Sequence, residues 1–175
     1  RKVLYLDGEL PGVVLQQRLS MHCPVIKPEE GYFKVWTPDL MGFEEDAPPM
    51  PDLSTIEGQK IINSQIETDT AFIVIDNLSA WCRTGRENEG ESWLPMSTWL
   101  SYLRRRGIAV LIVHHAGKSG GQRGTSKKED LLDISIALDR PKEYTPEQGA
   151  AFTVEFTKAR HLKGNEAESL EIVLT

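Results

Sequence analysis

The run Ile108-Ala109-Val110-Leu111-Ile112-Val113 constrains the fold more than any other stretch of the chain. Six consecutive apolar residues, several of them β-branched, have no polar face to offer water. The pattern therefore predicts a strand buried on both sides, as in a parallel sheet. It runs into His114 and His115 and then into AGKSGGQRGTSKKED, which is rich in glycine and cations. In open parallel sheets, ligands bind beyond the carboxyl ends of the strands. His114, His115, Lys118 and Arg123 are thus expected beside the bound group, and an anion suits them.

Other segments repeat the strand pattern. Residues 3–7 (VLYLD) and 71–76 (AFIVID) read as strands, the second fully buried, and residues 34–37 as a short one. Helices are expected at 12–20, at 54–66 behind a capping box made by Ser54 and Glu57, and around Trp93, Met96, Trp99, Leu100 and Leu103 at helical spacing. Residues 40–52 are proline-rich and acidic and read as a surface loop. Toward the C-terminus, 134–138, 152–157 and 170–174 read as strands separated by turns at 144–149 and 164–165. Strands alternate with helices first and with turns last. The expected fold class is α/β, a mostly parallel central sheet with antiparallel strands at its C-terminal edge.

At 175 residues the chain suits one domain with a sizeable core. A net charge of −6 argues against nucleic acid wrapped over the whole surface, though it leaves room for a local basic loop. Cys23 and Cys82 form no disulfide framework and no zinc spacing, so a reducing cytoplasm is expected. No apolar run is long enough to span a membrane, and no membrane partner is expected.

Three strands end in acid or histidine. Asp76, at the tip of AFIVID, could hold Mg²⁺ through water while the metal bridges phosphate oxygens, or could simply cap the following helix. Asp7 and Glu9 follow VLYLD, where a carboxylate could activate an attacking water or serve as a turn acid before Pro11. Lys158 and Arg160 in FTKARHLKG stand two apart on a strand and so point the same way; they either protect a sheet edge or reach a neighbour's phosphate. Gly117-Lys118-Ser119 imitates the end of a phosphate loop, but Ile112 stands where the first glycine is required. Trp81, Trp93 and Trp99 read as core rather than as a base-stacking platform.

Taken in order, VLYLDGEL, AFIVIDNLSAW, IAVLIVHHAGKSGGQRGTS and FTKARHLKG resemble a RecA-like, three-layer ATPase core. The nearest branch it resembles is the hexameric replicative helicases, especially the plasmid-replication type. The resemblance implies ATP and Mg²⁺ as cofactors, with Glu9 activating water and Asp76 on the metal side, Asn77 beside it. It puts the γ-phosphate sensor on His114 or His115, with His115 preferred. It assigns residues 117–128 to the DNA-facing channel loop, where Lys118, Arg123, Lys127 and Lys128 would meet single-stranded DNA. Lys158 and Arg160 would reach the nucleotide of the adjacent subunit in a homo-oligomeric ring.

The family's phosphate loop belongs before the strand at Val3, and the chain opens on Arg1 directly ahead of that strand. The expectation is therefore one RecA-like domain over 1–175, truncated at its N-terminus so that the phosphate loop and first strand are absent, and inactive as an ATPase by itself. Its parent would be an ATP-dependent, DNA-translocating helicase of replication or recombination. The alternative is a non-catalytic DNA-binding or assembly module on the same scaffold. An unrelated α/β hydrolase or phosphatase using His114 is a distant third.

Overall fold

The computed structural model describes residues 1–22, 29–41, 49–84, 93–115 and 130–174. The chain divides into two compact units, Arg1–Thr125 and Ser126–Thr175.

The first unit contains β1 (Lys2–Asp7), α1 (Gly12–His22), β2 (Phe33–Trp36), α2 (Pro38–Met41), α3 (Ile56–Asn63), β3 (Thr70–Asp76), α4 (Leu78–Trp81), α5 (Leu94–Arg105) and β4 (Ala109–Ile112). Its four strands form a parallel sheet in the order β2-β1-β3-β4. Parallel pairing puts all four carboxyl ends on one side, and that fact positions the site. The register aligns Leu4 with Ile73, Leu6 with Ile75, and Asp7 with Asp76. Because side chains alternate along a strand, Leu4, Leu6, Ile73 and Ile75 share one face, and each is 0–1% exposed. Burial of each such side chain contributes about 1.5–3 kcal/mol. They pack in one cluster with Ile62, Trp81, Met96, Trp99 and Leu103. The three tryptophans in question, Trp81, Trp93 and Trp99, are all core residues.

α5 forms because Met96, Trp99, Leu100 and Leu103 recur at helical spacing, and all four are buried. Arg104 and Arg105 in its last turn suit the negative end of the helix, and Gly107 (φ 74°) follows in the left-handed conformation that closes it. α3 differs from expectation at both ends. Thr55, not Ser54, is its cap, accepting from the Gly58 N–H at 3.1 Å, while the Ser54 N–H is taken by Asp52 at 2.9 Å. The helix ends at Asn63, whose amide oxygen accepts from the Trp99 indole at 2.9 Å.

β4 corrects the expectation of a strand buried on both faces. Its residues alternate, with Ala109 and Leu111 exposed and Val110 and Ile112 packed on the core. Leu111 is 49% exposed. Among the described residues β4 pairs only with β3, so it is an edge strand with one face toward the core.

The second unit contains β5 (Ile134–Asp139), β6 (Ala150–Ala159) and β7 (Leu170–Leu174), joined by 3₁₀ turns at Pro146–Gln148 and Gly164–Ala167. The antiparallel strands were expected at the C-terminal edge; here they form a sheet of their own, in the order β5-β6-β7. Register puts Ile136 beside Phe156, Leu138 and Leu170 on either side of Val154, and Ile172 beside Phe152, which makes one face apolar. No helix among the described residues is long and apolar enough to cross a membrane.

Candidate functional site at the strand tips

The carboxyl ends of β1, β3 and β4 bring together Glu9, Asp76, Asn77 and His115. Asp7 closes β1, and its carboxylate accepts from the Leu10 N–H at 3.2 and 3.4 Å and from the Thr37 hydroxyl at 3.1 Å. These bonds shape the turn that presents Glu9. Asp7 is 1% exposed, and burial pushes its carboxyl above the ordinary 3.8, with Thr37 and Leu10 pulling the other way and Asp76 adding to the rise. Gly8 passes against α4 so closely that an added Cβ would lie 2.6 Å from the Ala80 Cβ. Its N–H donates to the Asp76 carbonyl at 2.7 Å, which ties the turn to β3.

Glu9 projects from this turn, and its Oε2 lies 3.2 Å from the His115 Nε2. Both side chains are more than half exposed. His115 most of all, and then the Asn77 amide, hold the Glu9 carboxyl below its ordinary 4.5. Asn77 itself is fully buried and caps α4, its Oδ1 accepting from the Ala80 N–H at 3.1 Å. The Asn77 Nδ2 meets no acceptor at full hydrogen-bonding geometry, yet it still draws on Glu9. An open cleft of about 360 Å³, lined by Gly8, Glu9, Leu10, Pro11, Pro38 and Asp39, lies alongside.

Asp76 does not cap the following helix; Asn77 does. The Asp76 Oδ2 instead accepts from the Tyr5 hydroxyl at 2.6 Å. Burial first, and then Asp76, push the Tyr5 phenol well above its ordinary value, so it remains a donor at neutral pH. The Asp76–Asn77 peptide is cis. A magnesium ion takes oxygen ligands and, in phosphate sites, keeps several waters beside one or two carboxylates. No group of three or more His, Cys, Asp or Glu side chains suited to a metal occurs among the described residues. The Asp76 carboxylate is an oxygen donor of the kind a hydrated Mg²⁺ takes, and among the described residues it belongs to no cage of three or more ligating side chains.

His115 reaches Glu9, while His114, next to it, is half-buried. Lys158 lies on β6 of the second unit. Arg160 falls just past the end of that strand, so the two do not share a strand face. Its guanidinium donates to the Asp130 carbonyl at 2.7 Å and its N–H to the Asp133 carbonyl at 2.9 Å. Lys118, Arg123, Lys127 and Lys128 lie outside the described residues. Sequence reasoning missed Tyr5 and Thr37. Tyr5 alternates with Asp7 on the non-core face of β1, and that period-2 pattern was the one signal available.

Residues 1–121 match the family described as AAA domain. The crystal structure of the RadB recombinase is similar over 100% of this chain and 76% of that one, with a TM-score of 0.62 at 16% identity. No curated protein matches the chain. A four-stranded parallel sheet with carboxylates closing β1 and β3, the structural likeness and the family match agree: the chain belongs to the AAA domain family and has the fold of a RecA-like ATPase core.

Proposed function

We propose that this chain is the hydrolytic core of an ATP-driven protein that acts on DNA in replication or recombination. The observation that carries the reading is the convergence of Glu9, Asp76 and His115 from three parallel strand tips, with Glu9 and His115 3.2 Å apart. The family match supports ATP as the nucleotide, and the likeness to a recombinase supports DNA as the polymer.

In this reading the Glu9 carboxylate orients the attacking water and accepts its proton. The carboxyl, held below its ordinary range first by His115, is ionised at neutral pH. His115 serves as the γ-phosphate sensor in this reading, exchanging its contact with Glu9 for a phosphate oxygen, and that contact supports it over His114. Asp76 would hold Mg²⁺ through water, and the ion when bound neutralises charge on the phosphate oxygens. Asn77 fixes the start of α4 beside Glu9. Lys118, Arg123, Lys127 and Lys128 contact single-stranded DNA, and Lys158 and Arg160 serve the nucleotide of a neighbouring subunit in a ring.

The 175 residues carry no G-x-x-x-x-G-K-[S/T] motif, so hydrolysis is to be tested in the whole protein. Glu9→Gln there is expected to lower the hydrolysis rate by a factor on the order of 10²–10⁴, the usual worth of a general base, with ATP affinity nearly unchanged. Single-turnover hydrolysis and equilibrium binding separate the two. Equal loss of both would make Glu9 a structural turn acid and favour a non-catalytic module on the same scaffold.

A further inference from the structure

We infer that Tyr5 is a positioning residue for Asp76, fixing the carboxylate that would hold the hydrated metal. This rests on the reading of Asp76 given above. The Tyr5 hydroxyl donates to the Asp76 Oδ2 at 2.6 Å, across from β1 to β3. Register explains how it reaches. Tyr5 is aligned with Val74, two residues before Asp76 and on the same face, so a ring leaning along the strand ends at the carboxylate. The ring is steadied on its other side by Phe33 on β2, the ring centroids being 5.9 Å apart.

The neighbouring carboxylate shows why such a partner matters. Asp7 lies directly beside Asp76 in the parallel register, and two carboxylates this close compete for the same cation. The structure separates their roles by their partners. Thr37 and the Leu10 N–H donate to the Asp7 carboxylate, whereas Asp76 takes the Tyr5 phenol on one oxygen as its side-chain partner among the described residues. Held at Oδ2, the carboxylate would offer Oδ1 to a water of the metal shell. A phenylalanine at position 5 would serve the strand and the packing on Phe33 equally well, so the hydroxyl is the part that acts on Asp76.

The test is a Mg²⁺ titration of ATP binding to the whole protein, comparing wild type, Tyr5→Phe and Asp76→Asn, each also measured in EDTA. For Tyr5→Phe we expect the Mg²⁺ midpoint to rise roughly three- to tenfold, the scale of one ordinary hydrogen bond. Affinity in EDTA should not change, and saturating Mg²⁺ should restore hydrolysis. A midpoint unmoved in Tyr5→Phe but moved in Asp76→Asn would overturn the role of Tyr5 and leave the functional reading standing. Equal weakening with and without Mg²⁺ would make the hydroxyl merely structural. A midpoint unmoved in Asp76→Asn would overturn both.

Discussion

Asp7 and Asp76 occupy equivalent positions on adjacent strands, and their surroundings set them apart. Asp7 is buried and its charged form is disfavoured, so its stability effect has the opposite sign from that of Glu9. A carboxyl whose folded pKa lies above its unfolded value contributes stability below that unfolded value. The contribution is lost as pH rises through the folded pKa. Asp7→Asn keeps an oxygen for Thr37 and Leu10 but cannot ionise. The variant is therefore expected to gain on wild type as pH rises from below 3.8, with the gap levelling off above the raised pKa. Chemical denaturation at a series of pH values checks this; a gap that widens toward acid would contradict it. Glu9, Asp76 and His115 were legible in sequence because each closes or follows an apolar strand. Tyr5 was not, because its bond to Asp76 spans 71 residues and depends on a register that no local pattern states.

At the scale of elements, the periodicities located the strands and α5, while tertiary contacts decided the details. Ser54 and Thr55 are equally good caps by type. The helix takes Thr55, whose hydroxyl accepts from the Gly58 N–H, while the Ser54 N–H donates to Asp52. The apolar run of β4 reads the same for a central strand as for an edge one, and only the pairing distinguishes them. The junction of β1 with α4 rests on Gly8, whose missing side chain lets the turn reach Ala80 and Trp81. Gly8→Ala places a methyl 2.6 Å from the Ala80 Cβ. We expect it to cost about 1–3 kcal/mol, the usual penalty of overpacking. Thermal melting reads that loss. Because Asn77 caps α4, the displacement should also weaken hydrolysis in the whole protein, and a variant as stable and active as wild type would show that the turn can shift freely.

At the scale of the whole molecule, the chain consists of a parallel unit with Asp7 and Asp76 at its strand tips and an antiparallel unit carrying Lys158 and Arg160. We propose that the strand tips of the first unit hydrolyse ATP in response to DNA. The most direct measurement is ATP hydrolysis by the whole protein with and without single-stranded DNA, over a range of salt, for wild type, Glu9→Gln and the double variant Lys118→Ala/Arg123→Ala. The account predicts that DNA raises the wild-type rate and that salt reduces the stimulation, as counterion release requires. It also predicts that the double variant keeps basal hydrolysis but responds less to DNA, and that Glu9→Gln is inactive throughout. Hydrolysis indifferent to DNA, or a Glu9→Gln protein as active as wild type, would contradict it.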